Sequence, residues 1–275
     1  MNTSNMRLAA IGLVLLAGAT GCRKAILPPV AMDYKGVEPK VDYTELDLVL
    51  AKAVSPDGLV HAAILKDQAV RLDAQLKLLA AAGPTDRPDL FPQDTDRLVY
   101  WYNARAAWSL KLWLVNDCAG QFDRAGAMCD RQFPLDGRLM SLSRIDDVLA
   151  HDGDWRTRVV APSIDCHGSP LLNRAFSAGG IRPLIAQRFN QYVADPSRLV
   201  VDVEKKQVLV APALWSVRES LVKSYDENYG TAGATLQTAL LPFLEGPALR
   251  RMRDLVGYAC VPMREEPLKV TMARR

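Results

Sequence analysis

Histidine is scarce in this chain. Three occur in 275 residues, at His61, His151 and His167, and no two share the i, i+4 spacing by which a helix presents a pair to a metal ion. No Cys-x-x-Cys pair is present either, so no metal site is expected. The chain also lacks a glycine-rich phosphate loop, a Gly-x-Ser-x-Gly elbow, internal repeats and low-complexity segments. P-loop nucleotide chemistry and the α/β-hydrolase serine mechanism are thereby excluded, and nothing calls for a cofactor. Net charge is nearly absent as well: 34 Lys and Arg against 31 Asp and Glu leave +3. So slight a balance argues against a nucleic-acid partner.

Long apolar runs are missing too. The most apolar stretch, residues 8–19, follows a single cation, Arg7, and gives way to "ATGC" ending at Cys22. It is too short for a membrane span and reads as a secretory signal. The small residues before the cysteine resemble a bacterial lipobox, which makes Cys22 the expected lipid attachment site. Residues 1–21 are then the signal peptide and 22–42 a lipidated, proline-containing tether. Arg23 is not the aspartate that retains enteric lipoproteins in the inner membrane, so the outer membrane, facing the periplasm, is the expected location. Acyl chains on one residue would hold the domain on the membrane.

Four cysteines remain after Cys22, and an exported compartment is oxidising. Cys118 and Cys129 close a short loop and are expected to be bridged. Cys166 and Cys260 could pair with each other or stay reduced.

About half of the residues are apolar, 49%, enough for one large domain over residues 43–275. Leu65, Ala69, Leu72, Leu76 and Leu79 mark an amphipathic helix ended by Gly83 and Pro84. Residues 95–115, "TDRLVYWYNARAAWSLKLWLV", are apolar on nearly every side, as in a helix at a domain's centre. Asn103, Arg105 and Ser109 on that helix are polar groups needing partners. A turn is predicted at Asp136 and Gly137, and then a helix capped by Ser143 with Asp146 in the capping-box position. Residues 158–164 read as a short strand, and Ser169 with Pro170 as an N-cap and first helical position. Ile181, Ile185, Phe189 and Tyr192 mark another helix. "RLVVDVEKKQVLVAP" reads as a hairpin turning at residues 204–206. Residues 213–223 and 234–256 are helical in pattern, and "GYACVPM" is a candidate last strand. The implied class is α+β: a single, mostly helical domain with a small antiparallel sheet or hairpin.

Several stretches, taken in order, resemble the bacterial and plant domain-of-unknown-function 547 family. These are residues 57–79, the "YWYNARAAW" of residues 100–108, "DGRLMSLSRIDDVL", "SIDCHGSPLL" and residues 192–214. The resemblance spans about residues 45–225, with 226–275 as a helical extension. It implies a fold and some polar positions, because the family's general activity is not established. The family's Ile-Glu-His becomes Ile145, Asp146 and Asp147 here. Its second asparagine becomes Ala106. Its two cysteines fall on Ile164 and Ser169, with Cys166 between them. The resemblance therefore implies an eroded site.

Several chemistries compete for these residues. Cys166 precedes an expected helix start, where the dipole would lower its pKa. Adjacent His167 is a poor base for it, since neighbouring side chains in extended chain point to opposite sides. His151 or His61 would have to arrive from elsewhere. Ser169 reads as a cap before it reads as a nucleophile. Asp165, Cys166 and His167 are ligand types but too contiguous to enclose one ion. Asp146 and Asp147 could be a carboxylate pair at a cleft mouth. Asn103 and Arg105 are expected to hold the "SIDCHG" loop in place, or to bind a ligand with Asp147 and Ser169. The leading expectation is a lipid-anchored envelope protein with a binding or structural role, its partner an envelope protein, a peptide or a small molecule. The alternative is a thiol-dependent hydrolase or transferase using Cys166 with His151 or His61.

Overall fold

The computed structural model describes residues 27–118, 121–123, 128–165, 168–263 and 268–269. Cys22, Cys166 and His167 lie outside them. The domain is α+β and mostly helical, as the patterning implies. Its centre is a 22-residue helix, α4 (Asp94–Val115), with 14 buried residues distributed around it. A capping box between Gln93 and Asp96 starts this helix. Trp108 is fully buried and stacks on Phe133 at a centroid distance of 4.0 Å. Buried aromatics of this size dominate core energetics. The hydroxyls of Tyr100 and Tyr102 donate to the carbonyls of Leu79, at 2.7 Å, and Thr157, at 2.6 Å, so neither ring buries an idle polar atom. Trp108 Nε1 and Ser109 Oγ are the exceptions on this helix, buried without a hydrogen-bond partner among the described residues.

Helices α2 (Ala62–Asp67) and α3 (Ala69–Ala81) pack on α4, and α1 (Thr44–Ala53) packs on α3 and α2. The Leu65-to-Leu79 stripe is buried as predicted, but it is carried by two helices. Gln68, with φ −93° and ψ 5°, separates them. Its amide N–H reaches the carbonyls of both Ile64 and Leu65, at 3.1 Å each. Strand β1 (Gln121–Asp123) pairs with a distant strand near the C-terminus. The predicted turn at Asp136 and Gly137 joins β2 (Phe133–Leu135) to β3 (Arg138–Met140), both turn residues adopting positive φ, 54° and 68°.

Helix α5 (Leu142–Ala150) follows, but Ser141 caps it, not Ser143. Ser141 Oγ accepts from the Arg144 amide at 3.2 Å, whereas Ser143 Oγ donates to Asp130 at 2.6 Å. The hydrophobic residue after the cap is Leu142, so the apolar face starts two residues earlier than the capping-box pattern implies. Ser141→Ala is expected to cost about 1 kcal/mol in a urea titration and Ser143→Ala well under half of that. Equal losses would count against this assignment.

Residues expected as a strand from 158 open as a helical turn, α6 (Arg156–Val159), with only Pro162–Ser163 extended, as β4. Asp154 starts the turn by accepting from the Arg156 amide at 3.0 Å, and Thr157 Oγ1 anchors it to the Leu149 carbonyl at 2.8 Å. Ser169 and Pro170 begin no helix either. They form β5, which pairs in parallel with β4. The next helix, α7 (Ile181–Ala194), starts eleven positions beyond Pro170. Strands β6 (Leu199–Asp202) and β7 (Gln207–Val210) form the expected antiparallel hairpin.

The two helices predicted after this hairpin are each divided. They appear as α8 (Pro212–Ser216) with α9 (Arg218–Tyr229), and α10 (Leu236–Leu240) with α11 (Gly246–Asp254). The last expected strand is β8 (Ala259–Pro262), which runs parallel to β7. The C-terminal region therefore completes the three-stranded sheet. Strand β9 (Leu268–Lys269) is the partner of β1.

Residues 27–43 contain no helix or strand, yet they lie against the domain. Val30 is buried and its amide donates to the Gln132 carbonyl at 2.8 Å, while Arg131 Nε donates to the Pro28 carbonyl at 2.9 Å. Among the described residues no helix is long and apolar enough to cross a membrane.

The candidate site: a loop braced by three arginines

Between β4 and β5 the chain leaves and returns over five residues, 164–168. Parallel strands ordinarily need a far longer connection, so this loop must be held by something other than its ladder. Part of the answer is local. Asp165 Oδ1 accepts from the Gly168 amide at 2.6 Å, and Asp165 Oδ2 accepts from Ser163 Oγ. Gly168 crosses so close to Ser163 that an added Cβ would stand 2.3 Å from the serine's own. Only glycine fits there.

The rest comes from three guanidinium groups, one donating to the loop's backbone and two to the strands on either side of it. Arg105 of α4 donates through Nη1 to the Pro162 carbonyl. Arg188 of α7 donates through Nη2 to the Pro170 carbonyl and, at 2.5 Å, to Ser169 Oγ. Arg198, just after α7, donates to the Gly168 carbonyl at 3.2 Å. Arg105 also grips Asp146 with both Nε, at 2.6 Å, and Nη2, at 3.1 Å. Burial by itself would lower the Arg105 pKa, but Asp146 and Asp165 outweigh it and hold the group well above its ordinary range.

Asn103 has a different task from the one expected. Its amide spans both backbone groups of Phe176, accepting from N–H at 2.8 Å and donating to C=O at 3.1 Å. It thus pins the irregular segment between β5 and α7, not the "SIDCHG" loop. Asp146 is drawn in by Arg105 and is no capping-box acid. Asp147 points away, 59% exposed, 3.7 Å from Arg144. The two carboxylates form no pair. Ser169 Oγ accepts from Arg188, and as a strand residue it has neither the cap role nor an elbow geometry.

The expected Cys118–Cys129 bridge is not formed. Cys118, Cys129 and Cys260 are thiols. Cys118 sits just past the end of α4 at φ 52°, with Lys66 and Asp117 as charged neighbours. Cys129 lies beside the start of α5, its carbonyl accepting from the Ser143 amide at 3.1 Å. Burial pushes the Cys260 thiol up to about 11, the reverse of an activated nucleophile.

His151 caps the end of α5, its Nδ1 2.7 Å from the Asp147 carbonyl. It lines a cleft of about 530 Å³ with Trp101, Asp152, Asp154 and Arg182. No described residue of the 162–172 loop lines that cleft. A second cleft, about 480 Å³, opens on the loop itself and is lined by Ser169, Pro170, Leu171, Arg174, Arg188 and Arg198 among others. Neither His61 nor His151 is among its described lining residues. Pro56 and Asp57 supply its far wall, and there Gly58, at φ 83°, lets the chain approach Pro170 to a distance that a Cβ would close to 2.5 Å. His61, at the start of α2, follows that wall but is not part of the lining.

At the braced loop the described residues offer recognition by buried cations and backbone. No group of three or more His, Cys, Asp or Glu that could hold a metal ion occurs among them. No family model, curated protein or solved structure matches the chain.

Proposed function

We propose that this chain is a lipid-anchored binding protein of the bacterial outer membrane, facing the periplasm, and a divergent relative of the domain-of-unknown-function 547 family. One observation carries the binding reading. Arg105, Arg188 and Arg198 spend donors on the carbonyls of a single loop and the strands on either side of it, which fixes that loop as one wall of a cleft. Preorganised walls of this kind reduce the ordering cost of binding. The anchor rests on the "ATGC" stretch ending at Cys22.

The competing reading, Cys166 as a thiol nucleophile, draws support from the same three cations, since positive groups nearby favour a thiolate. Two measurements decide between them. Purified full-length protein and its Cys166→Ala variant are expected to show the same rates against a panel of activated esters and thioesters. The Cys166 alkylation rate is expected to follow an ordinary thiol pKa of about 8.5. A burst of product that disappears with Cys166→Ala, or an alkylation pKa well below that value, would overturn the binding reading. Cys22→Ser is expected to move the protein from the membrane to the soluble fraction, and persistence in the membrane would refute the anchor.

A further inference from the structure

Buried cations in this fold have carboxylate partners: Arg105 has Asp146 at 2.6 Å, Lys111 has Asp73 at 2.6 Å, and Arg198 has Asp195 at 3.3 Å. Arg188 has none among the described residues. It is 8% exposed, and its two hydrogen bonds go to neutral acceptors, Ser169 Oγ and the Pro170 carbonyl. Its Nε is buried with no partner at all. Its Nη1 makes no hydrogen bond to a described residue, and Arg188 is among the residues that line the cleft. Burying a charge without an opposite one is costly, and burial draws the Arg188 pKa below the ordinary arginine value. A fold that keeps such a group at the floor of a cleft keeps it for a ligand that brings the missing charge.

The surroundings narrow the ligand's chemistry. Three arginines and two carboxylates line the cleft. Asp195 is engaged with Arg198 and with the Ser197 amide, and Asp57 with Ser55. What remains is an excess of one positive charge, enough for a monoanion and too little for a dianionic phosphate. The walls carry Leu171, Leu172 and Leu184 beside Gln187 and Gln191, so an apolar body with a few polar atoms is accommodated. A carboxylate accepts from guanidinium donors with better geometry than from any other side chain.

We propose that the cleft between the arginine-braced loop and α7 binds a small monocarboxylate, its anionic group on Arg188 Nη1 and its apolar body against Leu171 and Leu184. This rests on the binding reading above and gives that reading its ligand class. Two other clefts, the one at His151 and one of about 610 Å³ lined by Trp215, Arg218, Glu219 and Cys260 among others, lack this motive, because their arginines have carboxylate partners: Arg182 has Asp152, Arg97 has Asp94, and Arg218 has Glu219.

The test uses the full-length protein in detergent and three probes: butanoate, its neutral amide butanamide, and inorganic phosphate. Ligand-detected NMR is expected to give butanoate a Kd of about 1 mM, which a ligand of that size reaches at a middling efficiency per atom. Butanamide and phosphate are expected to bind at least tenfold more weakly. Arg188→Met should weaken butanoate tenfold or more. Should that variant fail to fold, Leu184→Trp, which fills the cleft from a half-buried position and leaves Arg188 in place, should do the same.

Butanoate binding that survives either folded variant, or equal binding of butanamide, would overturn the proposal, as would no butanoate binding to the wild type. Preference for phosphate would overturn the carboxylate assignment while leaving a binding role standing. A Cys166-dependent turnover would overturn the binding role whatever the probes do.

Discussion

Replacing Asn103 by leucine is expected to cost about 2–5 kcal/mol of stability, read as a lowered midpoint in a urea titration at unchanged slope. The side chains are close in volume, so little of the loss comes from packing. It comes from Phe176, whose N–H and C=O both lose their partner at a fully buried position. Each orphaned group costs about 1–3 kcal/mol. Asn103→Asp provides a sharper check. Ionised, the aspartate still accepts from the Phe176 amide but faces the Phe176 carbonyl without a donor. Protonated, it can do both jobs. Its folded pKa should therefore be raised above the unfolded value of about 3.9. The folded state then binds the proton first, and stability rises as pH falls. The variant should be weakest at neutral pH and regain stability between about pH 7 and pH 4. A loss independent of pH would show that the amide's two bonds are not what holds residue 176.

The second large effect is expected at Arg105. Arg105→Met should cost about 2–4 kcal/mol. This is at the lower end for breaking a buried pair, because the Asp146 side chain keeps 28% of its surface in water and can recover part of its hydration. The Pro162 carbonyl loses its donor as well. Adding Asp146→Leu should restore part of the loss, since the pair's separate removal, not its joint absence, leaves a charge uncompensated. A double variant no more stable than Arg105→Met would mean that the loop contact outweighs the ion pair.

How much of this could be read from the residues alone differs by element. The central helix was legible because apolar residues on every side over 21 positions admit no other structure, and the β6–β7 hairpin because a Glu-Lys-Lys turn sits between alternating segments; at Asp136 and Gly137 the turn was legible but not the two short strands that it joins. Residues 158–164 were not. A short apolar run fits helix and strand equally by periodicity, and Asp154 and Thr157 decided it through contacts with their surroundings. Ser169 and Pro170 carry the local signature of a helix start, but a parallel bridge and an arginine won.

Of the polar residues on α4 read as needing partners, Arg105 and Asn103 have them, Asn103 in a different segment from the one expected, while Ser109 Oγ has none among the described residues. The same reasoning extends to Arg188. With Ile181, Ile185, Phe189 and Tyr192 marking the buried stripe, position 188 falls on that stripe beside Phe189. A cation on an apolar face is the signal that could have found it. The disulfide expectation failed because spacing along the chain says nothing about where a long helix carries one of its ends.

The segment around Val30 has a mechanical consequence. If Cys22 is acylated, only residues 22–26 lie between the lipid and the first docked residues, and at roughly 3.5 Å per residue they extend no more than about 18 Å. That is less than half the diameter of a domain of this size, about 45 Å. The protein could not range outward from the bilayer on a long leash. The surface around Pro28 and Gln132 would be held toward the lipid headgroups, and whatever reaches the braced loop would have to do so within one domain's width of the membrane.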